Sequence, residues 1–254
     1  MNFFNIMGLI ASIALCLPII MLFTTKLTWY KSFPALFFYF LFVFTYTITK
    51  MGYIETNKVF LYYHGVTCNF LDTPLILSFL LYFSTTTGFR RKLQLVTVGF
   101  ILFEVVVILL TGYNTRATTI VLAPGLILTL VIAALFFIHQ VKLAVVYHKA
   151  VGKAVIISSL LFAYVGYAFV YAVFYVIKPV FKDDAHLVYF LITIVSSVAM
   201  AVGIFVEKAR VKQLHEVRTT REELKAIYEE ERTEKKTTAP REAVILNFDK
   251  KQWR

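Results

Sequence analysis

Three side chains able to bond, titrate or ligate recur at one spacing in the chain: His64, Cys68 and Asp72, at i, i+4 and i+8. That spacing lines them along a single face of an α-helix. Thr73 follows directly, and Glu104 is a second acid embedded in an apolar run. An imidazole, a thiol and two carboxyls suit proton transfer or hydrogen bonding to a small ligand. Each also has a plainer use as a polar contact between helices, typically worth about 0.6 kcal/mol. Placing Asp at the centre of a membrane helix costs about 2.5–3.5 kcal/mol on insertion scales, so such acids face a partner or a cavity. Consecutive helices tend to pack side by side, which pairs Asp72 or Thr73 with a protonated Glu104.

The remaining histidines and motifs add little chemistry. His64 and His186 fall at one depth, where a metal or haem pair is conceivable. An interfacial histidine with ordinary hydrogen bonds is the reading preferred for each of them. His139 and His148 sit near the opposite end of their helix. No CxxC, HExxH, GxSxG or P-loop pattern occurs, so the sequence assigns no enzyme activity, metal site or resident cofactor. Cys16 and Cys68 both stand in apolar stretches and form no disulfide framework.

The elements that must position these residues follow from composition. At 59% hydrophobic and 16% charged over 254 residues, the chain carries more apolar surface than a soluble domain of its size can hide. Seven runs reach the length of a spanning helix: 3–23, 33–50, 59–86, 93–112, 118–140, 154–177 and 186–206. Short polar segments such as "TTGFRRK" and "GYNTRA" separate them. The first run has no basic flank and no A-x-A site, so it reads as a retained helix. The fold class is an all-α seven-helix membrane bundle over residues 1–206, with a charged helix and tail over 207–254.

Lysine and arginine set the direction. The segments after the first, third and fifth runs carry Lys26, Lys31, Arg90, Arg91, Lys92, Lys142, Lys149 and Lys153. Those after the even runs are diluted by Glu55, Asp183 and Asp184. The positive-inside rule then places the N-terminus outside and the C-terminus in the cytoplasm of a plasma (inner) membrane. The net charge of +11 follows from this bias and calls for no nucleic acid. After residue 206, "EKARVKQLHEVRTTREELKAIYEEERTEKK" reads as a charged helix with a restart cap at "TTREE". Val211, Leu214, Val217, Leu224 and Ile227 give it a thin apolar stripe, suited to a solvated helix or to a protein partner. The cluster Val244 to Phe248 is a second docking candidate, and a homo-oligomer is compatible with either.

The segment "DTPLILSFLLYF" resembles the third helix of microbial (type 1) rhodopsins, which lines their retinal pocket. "LLFAYVGYAFVY" and "IVSSVAMAVG" are similar to that family's sixth and seventh helices, in the same order. The resemblance implies a rhodopsin-like bundle, but the departures are systematic. The position matching the retinal lysine is Val198, and an imine needs a primary amine, so covalent retinal is excluded. On the same matching, Cys68 and Phe79 replace the pump's proton acceptor and donor, Gly65 its arginine, and Ile194 its helix-seven acid. Two functions remain. One is a retinal-free rhodopsin-like protein that signals or scaffolds through residues 207–254. The other is a binder of a non-covalent apolar molecule such as a polyene, quinone or lipid, for which the aromatic runs "FFYFLFVFTYT" and "YVGYAFVYAVFYV" can supply the walls.

Overall fold

The structure, a computed structural model, describes residues 3–84, 86–147, 150–175 and 182–237, and every regular element among them is helical. They are α1 (Phe3–Thr24), α2 (Phe33–Lys50), α3 (Lys58–Leu80), α4 (Thr87–Thr111), α5 (Thr115–Tyr147), α6 (Val151–Tyr175) and α7 (Lys182–Thr237), with a 3-10 turn over Leu81–Phe83. All seven helices are long and apolar enough to cross a membrane, as the sequence predicts. Several boundaries differ from the hydropathy pattern. α3 ends at Leu80 and not at 86, α4 starts at Thr87 and takes in Arg90 and Arg91, α5 runs on to Tyr147, and α7 passes through "TTREE" without the break that a restart cap would need. His148 and the cluster at Val244 to Phe248 lie outside the described residues.

Local chemistry explains the ends. Asn57 accepts a hydrogen bond from Val59 N at 3.1 Å and so caps α3, while Asn114 accepts from Ala117 N at 2.9 Å to open α5. Gly112 closes α4 at φ 79°, a conformation that costs glycine nothing. Pro74 interrupts one backbone bond inside α3, yet the helix continues to Leu80. Threonines inside the helices satisfy their own hydroxyls: Thr45, Thr47 and Thr49 donate to the carbonyls of Leu41, Val43 and Thr45 at 2.7–2.9 Å. That intrahelical bonding removes the penalty for a hydroxyl in hydrocarbon.

The chain forms two compact units, Met1–Arg210 and Val211–Arg254. In the first, α3 is central and packs on α2, α4 and α5, while α5 packs on α6 and α1 on α2. α4 shows how the sequence divides inside from outside. Leu93, Thr97, Phe100, Glu104 and Val107 recur every three or four residues and are buried, whereas Leu95, Leu102, Leu109 and Leu110 are exposed. Exposed leucines in such number suit lipid and would be unfavourable in water. The second unit is helical to Thr237, with exposed i,i+4 ion pairs Lys212–Glu216 at 3.8 Å and Lys225–Glu229 at 3.7 Å. Leu214, Val217, Leu224 and Ile227 are exposed on it.

α6 and α7 approach each other through missing side chains. A Cβ on Gly152 would stand 2.6 Å from Glu207 N, and one on Gly203 would stand 2.9 Å from Ile156 N. Ser159 adds a hydrogen bond of 2.6 Å to the Ser196 carbonyl across the same interface. Small residues at a helix crossing let backbones close to this distance. Gly152→Ala is therefore expected to force α6 and α7 apart, costing about 1–3 kcal/mol. Thermal unfolding in detergent should show a lower midpoint for this variant than for Gly99→Ala, whose Cβ meets nothing within 4 Å. Equal midpoints would show that the interface does not close on Gly152.

Candidate functional site

Asp72 is the residue around which polar chemistry gathers inside the bundle. Its two carboxylate oxygens each accept from the Tyr164 hydroxyl of α6 at 3.0 Å. Tyr164 has no exposed surface, so the bond is held rigidly between α3 and α6. The pairing of Asp72 or Thr73 with Glu104 that helix adjacency suggests does not form. Thr73 is buried against Gly125 of α5, and Glu104 is buried on the inner face of α4 with Oε1 lacking a hydrogen-bond partner. The nearer tyrosine captures the aspartate, because its hydroxyl reaches both oxygens.

Asp72 also lines a cavity of about 400 Å³ walled by α2, α3, α5, α6 and α7. Apolar walls come from Val43, Leu122, Leu126 and Val170. Tyr39, Tyr46, Tyr167, Tyr171 and Tyr189 bring five phenol rings to it. Lys50 and Met51, at the end of α2, and His186, near the start of α7, also line it, so the cavity reaches the end of the bundle where the α2–α3 loop lies. The phenol rings support one another, with Tyr167 5.9 Å from Tyr164 and 5.6 Å from Tyr189.

The face predicted on α3 is only partly shared. Cys68 lines the cavity and donates to the Phe42 carbonyl at 3.5 Å. His64 packs beside it, edge-on to Tyr46 and Phe60, with Nε2 3.4 Å from Thr45 Oγ1 and Nδ1 buried without a partner. His186 stands on the cavity wall and His64 does not. His139 is exposed on α5. Val198, at the position matching a retinal lysine, is 42% exposed, whereas Thr193, Ser197 and Met200 of α7 are buried.

At the other end of the bundle lies a second polar cluster. Glu207 has 0% exposure and is ion-paired with Arg210, whose Nε bonds both carboxylate oxygens at 3.0 Å. The Tyr82 hydroxyl donates to Glu207 Oε1 and accepts from Arg210 Nη2 at 3.1 Å. Lys153 of α6 donates to the Tyr82 carbonyl at 3.3 Å and lies 4.2 Å from the centre of its ring. Phe33, Phe79 and Phe83 pack around the same ring, the nearest at 4.8 Å. The cluster ties the end of α3, the start of α6 and α7 together.

Sequence reasoning missed Tyr164, Tyr82, Lys153 and Arg210 as partners, and it grouped Glu207 with the charged segment. A signal for Glu207 existed: it lies one heptad beyond Met200 and two beyond Thr193, on the buried stripe of α7. Tyr164 gave none, since nothing in "LLFAYVGYAFVY" separates one tyrosine from the next.

Glu207→Ala takes the acceptor from the Tyr82 hydroxyl and from the part-exposed Arg210, and should lower unfolding stability in detergent by about 1–3 kcal/mol. Glu207→Gln, which keeps acceptors for Tyr82 and Arg210, should lose less. Equal losses in the two variants would show that the hydrogen bonds to Tyr82 and Arg210 contribute nothing without the charge. Comparison of the chain with protein-family models, curated proteins and solved structures gives no match.

Proposed function

We propose that this multi-pass membrane protein binds a small amphipathic molecule reversibly within its helical bundle. The observation that carries the reading is the cavity of about 400 Å³ with Asp72, held by Tyr164, in its wall. A volume of this size suits a small organic ligand, and a few convergent polar groups on mainly apolar walls are what such sites use. A wholly apolar polyene or hydrocarbon chain would strip water from Asp72, Asn69 and the phenols without replacing its hydrogen bonds. The ligand accordingly combines an apolar body with a polar group, as a quinone or a lipid headgroup does.

The bundle is read as a retinal-free relative of microbial rhodopsins in a plasma (inner) membrane. The resemblance of the Pro74 segment and the seven helices support this. The lysine and arginine distribution puts the cavity mouth outside and residues 207–254 in the cytoplasm. A signalling role has one observation in its favour: α7 supplies Tyr189 and Phe190 to the cavity and continues as helix to Thr237. Ligand occupancy and a cytoplasmic protein partner would then act on one helix.

Filling the cavity separates binding from folding. Cys68 is half-buried on its wall, so Cys68→Phe projects a ring into the space. Mass spectrometry of gently purified protein is expected to find a co-purifying small molecule in the wild type and to lose it in Cys68→Phe. A preparation empty in both forms, or a ligand retained by the filled variant, would sink the reading.

A further inference from the structure

We infer that the polar group of the ligand is an ammonium, so that the cavity takes an organic cation with its charged nitrogen against Asp72. This inference rests on the ligand-binding reading above. A carboxylate offers about four acceptor positions. The Tyr164 hydroxyl, 3.0 Å from each oxygen, and Tyr39 as a second phenol donor fill only part of that capacity. The ion pairs Arg210–Glu207, Lys212–Glu216 and Lys225–Glu229 do not involve Asp72. Glu207 shows how this chain treats an acid it means to neutralise: it surrounds the carboxylate with Arg210 and Tyr82. Asp72 receives no such cation and faces a cavity.

Lys50 also lines the cavity, but at its far end. From Tyr39 to Lys50 the α2 axis rises about 16 Å at 1.5 Å per residue. The Lys50 ammonium is engaged there with the Tyr46 ring, 5.9 Å from its centre. The inner wall therefore combines a carboxyl group with aromatic rings, with Tyr39, Tyr167 and Tyr189 beside Asp72. Ring faces attract cations through their quadrupole, and a desolvated carboxylate attracts them through its charge. Both terms oppose an anionic headgroup. A neutral hydroxyl would satisfy acceptor positions while leaving the charge unmatched, so an ammonium is the group that meets both.

The test uses the full chain in lipid nanodiscs with two water-soluble probes of similar shape, phenethylamine and 2-phenylethanol, titrated by calorimetry. The wild type is expected to bind the protonated amine at least tenfold more tightly than the alcohol. Asp72→Asn keeps an acceptor for Tyr164 and should abolish that preference while leaving the affinity for the alcohol unchanged. Tyr189→Leu, which removes an inner-wall ring and does not touch the Asp72–Tyr164 bond, should weaken the amine more than the alcohol and supplies the answer if Asp72→Asn does not fold. Equal affinities in the wild type, or a preference that survives Asp72→Asn, would overturn the ammonium assignment and leave the ligand cavity standing. Failure of both probes to bind would overturn it as well, with the cavity itself then judged by the Cys68→Phe comparison.

Discussion

A carboxylate with no exposed surface must be compensated where it stands, and the arrangement of one end of the bundle follows from doing so for Glu207. Arg210 reaches it from one turn along α7, but an i,i+3 pair alone would leave acceptor positions empty. Tyr82 supplies the missing donor, and it can do so only because the chain tightens into a 3-10 turn as α3 ends, placing the phenol at α7. Lys153 then covers the Tyr82 ring and its carbonyl, and the neighbouring glycine lets α6 close to the backbone of Glu207. One buried charge thereby fixes the relative depth of three helices. Buried ion pairs are weak evidence of stability in themselves. Their effect here is to make any other register of α7 costly, since sliding it by one turn would part Glu207 and Arg210 from Tyr82.

The opposite end is built on other terms. Polar contacts there are single hydrogen bonds between long side chains and neighbouring helices, such as Tyr62 accepting from Thr115 N at 3.1 Å and Tyr113 with Thr67 at 2.6 Å. Between them the helices leave the cavity open. Tyrosine suits both tasks, because its ring fills apolar space while its hydroxyl finds a partner near the interface. The same residue type therefore closes gaps around Tyr113 and leaves phenols on the cavity wall at Tyr39 and Tyr167.

How far the sequence reveals this depends on whether the information is periodic or pairwise. The seven helices were legible because spanning length and composition are properties of each segment alone. The inward face of Glu104 was legible too, since α4 alternates buried and exposed residues with helical period. The partner of Asp72 was not. Helix adjacency suggests Glu104, but adjacency says nothing about azimuth, and the rotation of α3 that buries Thr73 against α5 turns Asp72 toward α6 and the cavity. The end of α7's buried face was hidden for a different reason: a glutamate followed by basic residues has the composition of a solvated helix. Its place on the heptad stripe was outweighed by its charge.

The acids of the membrane-embedded helices end in three different states, and the difference lies in which partners the bundle brings to each. Glu207 has a cation and a phenol and contributes to architecture. Glu104 is buried on α4, with one oxygen unpaired. Asp72 has the phenols of Tyr164 and Tyr39 and open space. An intramembrane carboxylate is retained where a partner or a cavity lowers its cost, and only the second condition leaves chemistry available to an incoming molecule. α7 carries both conditions on one rod: Tyr189 and Phe190 border the cavity, and Glu207 is locked at the other end of the same buried stripe. The continuous backbone of α7 thus joins a residue of the cavity wall to the charge that fixes the helix at its other end.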